Sequence, residues 1–189
     1  MNSQHDGLPA DAEKSVLVVV DIQEKLFPLM HNKDALNDRV ALLMQGASRL
    51  GVPILITEQY VQGLGATIPT LGDLVPSTKI EKTTFSCFGE PAFREALRQG
   101  ERTSVVLCGI ESHICVMQTA LDAIAEGYDV FVVEDAVSSR LEHVRELGIQ
   151  RMRQAGAITA TAEGMLFEWL GRCDRSEFKD LLPLFKESR

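Results

Sequence analysis

Long apolar runs are missing from this 189-residue sequence. None approaches the ~20 residues needed to cross a bilayer, which excludes a membrane-spanning helix. The N-terminal stretch MNSQHDGLPADAEK has neither a basic segment nor an apolar one, so no secretory signal is read there. Basic stripes are missing too. Lys and Arg number 19 against 27 Asp and Glu, and the net charge of −8 argues against a nucleic-acid partner. Cys87, Cys108, Cys115 and Cys173 are irregularly spaced and form no CxxC pair. That usage suits a reducing, cytoplasmic compartment and offers no structural zinc site. His5, His31, His113 and His143 are scattered without ligand spacing, so no metal centre is expected. Internal repeats, low-complexity tracts and linkers are also absent. The expected organisation is a loose arm over residues 1–14 and one domain over residues 15–189.

The chain does hold a regular alternation of strand and helix signals. Hydrophobic residues at 45% and charged residues at 24% suit an ordinary globular core. Apolar runs at Ser15–Val20, Pro53–Thr57, Thr78–Glu81, Ser104–Cys108, Tyr128–Val133 and Ala157–Thr161 read as six strands. Between them, Leu36, Val40, Leu43 and Ala47 share a helix face that opens near Asn32 or Asp34 and stops at Gly51. Further helices are expected from Pro91 to about Gln99, from Cys115 to Gly127, over Glu142–Ala155 and Ala162–Leu170, and from Ser176 to Lys186. The glycine-rich EQYVQGLGATIP reads as loop. The pattern predicts a three-layer αβα fold with a doubly wound, mostly parallel six-stranded sheet.

One stretch, TSVVLCGIESHICVMQTALDAIAEG, concentrates the chemistry. A buried strand breaks at Gly109, and Cys115 follows where a helix begins. Ligands of open α/β sheets bind at that edge. Unpaired N–H groups and the helix dipole can lower a thiol pKa there, making Cys115 a candidate nucleophile. The plainer alternative is a small buried hydrophobe. Asp21 and Lys82 also fall just past the carboxyl ends of strands, on the edge that a parallel sheet shares. An ionised Asp21 can accept a thiol proton, and Lys82 can orient it and favour the thiolate. Taken singly, a turn aspartate and a solvent-facing lysine are ordinary features.

The segments VVVDIQEKL, TEQYVQGLG, EKTTFSCF and CGIESHICVMQTALDA together resemble the isochorismatase-like cysteine hydrolase superfamily, most nearly its isochorismatase domain-containing subgroup. The likeness runs from about Ser15 to Leu170. It implies an Asp–Lys–Cys triad of Asp21, Lys82 and Cys115. It also implies a non-proline cis peptide at Ile110–Glu111 and an oxyanion hole from the N–H groups of Glu111 and Cys115. The implied reaction is hydrolysis of a small-molecule amide through a thioester, by a homo-oligomer without cofactor.

Several residues depart from the better-known relatives. Nicotinamidases bind a metal through an aspartate and histidines after the second strand, where this chain has Glu58 and no histidine. True isochorismatases lack the cysteine, so Cys115 argues against vinyl-ether hydrolysis. Glu111 replaces a small residue, serving either a structural hydrogen bond or substrate choice. His113 reads as a solvent-facing turn residue, and Cys87 as buried packing or a redox partner of Cys115. Gln23, Phe27, Tyr60 and Phe85 are candidate pocket walls. Phe178, Leu181, Leu182 and Phe185 form a C-terminal stripe that suits either a partner copy or the chain's own core. The preferred reading is a metal-independent hydrolase of a small amide-like or carbamoyl substrate. An esterase or other acyl hydrolase is the first alternative, and a non-catalytic interaction protein or thiol redox sensor the second.

Overall fold

In the computed structural model, which describes residues 9–187, six strands form one parallel sheet. They are β1 (Ser15–Val20), β2 (Ile54–Gln59), β3 (Thr78–Lys82), β4 (Ser104–Ile110), β5 (Asp129–Ser138) and β6 (Ile158–Ala160). Their order is β3-β2-β1-β4-β5-β6. The chain therefore winds outwards from β1 to β3, returns to pair β4 with β1, and winds outwards the other way. That reversal leaves a crevice between the carboxyl ends of β1 and β4.

The connecting helices are α1 (Lys33–Arg49), short turns α2 (Val61–Leu64) and α3 (Pro69–Gly72), α4 (Pro91–Gly100), α5 (Met117–Ala125), α6 (Glu142–Ala155), α7 (Ala162–Leu170) and α8 (Ser176–Glu187). β1 and β4 are buried along their whole length because helices cover both faces. Alternate residues of β1 feed two separate cores. Leu17 and Val19 join the helical face made by α1, α7 and α8, while Val16, Val18 and Val20 join that of α4, α5 and α6.

The structure corrects several expected boundaries. β4 does not stop at Gly109 but runs to Ile110, because Gly109 lies against β1 with φ 112°. A Cβ there would sit 2.2 Å from the Val20 carbonyl oxygen, so no larger residue fits. β5 extends past Val133 to Ser138 through a register shift: Leu107 pairs with Val132, then Gly109 with Val137. The polar Glu134 and Asp135, just past the expected strand end at Val133, occupy this irregularity, where Asp135 accepts the Ala162 N–H at the start of α7. The segment after β2 is not all loop, since α2 and α3 are single helical turns within it.

Of the expected N-terminal arm, residues 1–8 lie outside the described residues. Residues 9–14 are held: Ala10 is buried and bonds Glu168 Oε2 at 2.8 Å, and Arg102 donates to Ala12 O at 3.0 Å. Of the C-terminal stripe, Leu182 is exposed and the other three residues belong to the chain's own core. Leu181 is buried, Phe178 and Phe185 pack against the α1 face, and Phe167 stacks on Phe185. No helix among the described residues is long and apolar enough to cross a membrane.

Candidate active site

Asp21 is the first residue beyond β1, and its left-handed backbone (φ 52°) turns the chain out of the sheet. Such a conformation costs a non-glycine residue about 1–3 kcal/mol, and residues held there concentrate at functional sites. Lys82 ends β3, with β2 lying between it and Asp21. Two strand spacings, about 9–10 Å, separate the backbones, so only a long side chain bridges them. The Lys82 ammonium reaches Asp21 Oδ2 at 2.7 Å, and both side chains are wholly buried. Burying two charges is expensive even when they pair, so this contact is poor value as a stability device and points to function.

Both charged groups are held from several directions. Thr57 Oγ1 donates to Asp21 Oδ1 at 2.8 Å. Lys82 Nζ also donates to Gln59 Oε1 at 2.6 Å and faces the carbonyls of Thr84 at 3.1 Å and Phe85 at 3.2 Å. Thr57 and Gln59 were not singled out from the sequence. The signal existed, since both are polar residues at the carboxyl end of a strand, as Asp21 and Lys82 are.

Cys115 lies across the β1–β4 crevice, buried but for 8% of its surface, close enough to the Asp21 carboxylate for that charge to act on its thiol. The residues carrying it, Ser112–Val116, form a turn of π-helix ahead of α5, not the first α-helical turn the sequence suggests. The Ile110–Glu111 peptide is cis. The turn is clamped from behind by α6: Ser112 Oγ donates to Arg145 O at 2.9 Å, and Gly148 permits a close backbone approach. The thiol's acidity also differs from expectation. Burial pushes the Cys115 pKa up, the Asp21 carboxylate adds to the rise, and Lys82 only partly offsets it. The resting residue is a thiol that needs a base, and Asp21 is the carboxylate that acts on it.

The remaining predicted residues separate clearly. Gln23 is a correction to the expected pocket wall: it is fully buried, donating to Gln59 O at 2.9 Å and Gly65 O at 2.6 Å and accepting from Gln59 N at 2.7 Å. Phe27 packs on the α1-side core, under the Lys33 ammonium. Tyr60 and Phe85 are more than half exposed, on loops tied by their backbones to Lys82. Glu111 makes the structural bond, its Oε2 accepting from Arg140 N and Nε, each at 3.1 Å. His113 is half-buried, its Nδ1 3.0 Å from Ser139 Oγ. Cys87 is a buried free thiol whose Sγ lies 3.8 Å from Thr57 Oγ1. Burial raises its pKa to about 11.

Among the described residues, no group of three or more His, Cys, Asp or Glu is placed to hold a metal ion. A separate cavity of about 360 Å³ opens between α1, β5 and α6, lined by His31, Arg39, Asp135, Glu142 and Arg145. Within it, His31 Nε2 lies 3.6 Å from Glu142 Oε2 and Arg39 Nε 3.7 Å from Asp135 Oδ2.

Comparison with known proteins agrees with this architecture. The isochorismatase domain profile matches residues 15–164. Isochorismatase domain-containing protein 2 of Xenopus laevis is 41% identical over 175 residues, covering 92% of this chain and 84% of that protein. The solved MAR1 ribonuclease from Caenorhabditis elegans matches with a TM-score of 0.89 and 35% identity, over 94% of this chain and 92% of that one. The YcaC gene product from Escherichia coli, described as an octameric hydrolase of unknown specificity, matches with a TM-score of 0.86 and 26% identity, over 96% and 93%. By sequence and by fold alike, this chain belongs to the isochorismatase domain family.

Proposed function

We propose that the protein is a metal-independent cysteine hydrolase of a small amide-like or carbamoyl substrate, using Asp21, Lys82 and Cys115. The observation that carries this reading is the buried Cys115 thiol within electrostatic reach of a carboxylate that Lys82 and Thr57 hold in place. Asp21 takes the thiol proton as Cys115 attacks the substrate carbonyl. The backbone N–H groups of Glu111 and Cys115 stabilise the oxyanion. Asp21 then protonates the leaving amine, and with its help water cleaves the thioester and returns the proton to sulfur. Lys82 keeps Asp21 aimed and offsets the negative charge that develops beside it.

Intact-protein mass spectrometry during incubation with a panel of small amides and carbamoyl compounds tests this. A covalent acyl adduct is expected on Cys115 and none on Cys115→Ala. Asp21→Asn and Lys82→Met are each expected to lower kcat/KM by about 10²–10⁴, the range of a lost acid–base group. Because both partners are buried, Lys82→Met also costs stability, about 3–5 kcal/mol. Full activity in either folded variant would overturn the assignment. Turnover of esters alone would move the substrate class to oxygen esters, and a modifiable Cys115 with no turnover would indicate a thiol sensor. Cleavage of RNA, the activity in the name of the C. elegans structure, is the contrasting outcome; the net charge of −8 works against it. The unpaired thiols support a reducing, cytoplasmic setting.

A homo-oligomer belongs to the same proposal. The E. coli neighbour is an octamer, and Leu141, just before α6, and Leu147, within it, are 56% and 60% exposed. A second copy seated on this face would cover them. Sedimentation velocity should give a mass above the 20.8 kDa of one chain, falling towards it in Leu141→Glu/Leu147→Glu. A monomeric parent protein would refute it.

A further inference from the structure

We infer that Gln59 is a positioning residue for the triad, fixing the Lys82 ammonium over Asp21, and that Gln23 fixes Gln59 in turn. This rests on the hydrolase reading above but is tested without any substrate.

β1 leaves the sheet at Asp21, so the end of β2 loses its backbone neighbour on that side. The Gln23 side chain takes the neighbour's place. Its amide accepts from Gln59 N at 2.7 Å and donates to Gln59 O at 2.9 Å, satisfying both main-chain groups that a continued β1 would have met. Gln59 is thus held by its backbone, and its own amide spans two partners. Nε2 donates to Thr83 O at 2.9 Å, which leaves Oε1 directed at Lys82 Nζ at 2.6 Å.

An ammonium has three protons. Lys82 faces Asp21 Oδ2 and Gln59 Oε1 at the two short distances, and two carbonyls, of Thr84 and Phe85, at longer ones. Its donor capacity is filled by protein, so Lys82 acts on Cys115 through its charge and not by binding substrate. Gln59 supplies the one short acceptor that adds no charge. Replaced by an apolar group, it would leave a buried cation with one short partner, free to lean towards the carbonyls and away from Asp21.

The test is the pH dependence of Cys115 alkylation by iodoacetamide, read at that residue by peptide mass spectrometry. Gln59→Met removes both bonds at similar volume. It is expected to slow alkylation at pH 8 about tenfold and raise the pH midpoint by about one unit. In a Lys82→Met background the same change should have almost no further effect, because the residue through which Gln59 acts is gone. Gln59→Asn, which retracts the amide by one methylene, should shift the midpoint in the same direction by less. An unmoved midpoint in a folded Gln59 variant, or an equal shift with and without Lys82, would overturn the inference. One measurement needs no mutation: ¹⁵N-detected exchange of the Lys82 ammonium in the parent protein. Slow exchange is expected, and exchange as fast as that of surface lysines would sink the idea. Absence of amide turnover would refute the hydrolase proposal and leave these readings standing.

Discussion

Thr57 has a single hydroxyl proton, and it goes to Asp21 Oδ1 at 2.8 Å, so the oxygen faces the Cys87 thiol as an acceptor. The arrangement fixes the Asp21 carboxyl about its last torsion: Thr57 holds one oxygen and Lys82 the other. Thr57→Val keeps the shape and removes the donor. A hydrogen bond to a charged group contributes about 1.5–3 kcal/mol, so kcat on an amide substrate should fall by roughly 10- to 100-fold. KM should stay within about twofold, because Thr57 is buried beneath the carboxylate and does not meet substrate. Steady-state kinetics with thermal unfolding as a control checks this; an unchanged kcat would mean Asp21 needs no second restraint. At this scale the sequence is readable only for residues whose type implies chemistry. Asp21, Lys82 and Cys115 stand at strand ends and announce an acid, a cation and a nucleophile. Gln23 reads equally well as pocket wall or internal staple, because an amide serves either, and only its three backbone bonds decide.

Two helix-borne glycines lie where neighbouring elements touch, one on each face of the sheet. In α6, a Cβ at Gly148 would meet the backbone of Ser112 and His113 at 2.8 Å. In α1, a Cβ at Gly46 would meet the Leu166 side chain at 2.3 Å. Leu166 lies in the α1-side core, remote from the crevice, and a side chain can rotate where a backbone cannot. Gly148→Ala should therefore displace the turn that carries Cys115, and misplacement of reacting groups by about 1 Å can cost 10²-fold. Gly46→Ala should cost stability, about 1–3 kcal/mol from overpacking, with kcat near parental. Chemical denaturation and kinetics on both variants separate the two effects; equal loss of activity would mean the turn is not set by α6. Elements with one strong period were legible in the sequence. Leu36, Val40, Leu43 and Ala47 gave the buried face of α1, and unbroken apolar runs gave β1 and β4. Where polar residues are bonded internally the reading failed, as at Glu134 and Asp135 in the irregular part of β5. The π-helical turn has no sequence period of its own and was read as ordinary helix.

Across the whole molecule, the doubly wound sheet buries thiols on both faces: Cys108 in the α1-side core, Cys87 and Cys115 in the other. All three have raised pKa values, with burial the largest cause in each. Below the ordinary thiol value of 9.0 they are protonated whether the chain is folded or not, so their contribution to stability is fully present. Above it, unfolded thiols ionise while the buried ones stay neutral. Protons are then bound more tightly by the native state, and stability falls as pH rises. For Cys87 the loss ends near its folded value of about 11; for the other two it continues higher. Each thiol should contribute about 1.4 kcal/mol of loss between pH 8 and pH 10. Urea unfolding at those two pH values measures the total, and Cys108→Ala isolates one share. The variant will be less stable at pH 8 because it opens a cavity, but its further loss on going to pH 10 should be smaller than the parent's by about 1.4 kcal/mol. Lysine and tyrosine titration affects both proteins alike and cancels in that difference. Parallel pH profiles would mean that Cys108 ionises as readily inside the sheet as outside it, which a site sealed between β4 and α1-side hydrocarbon does not allow.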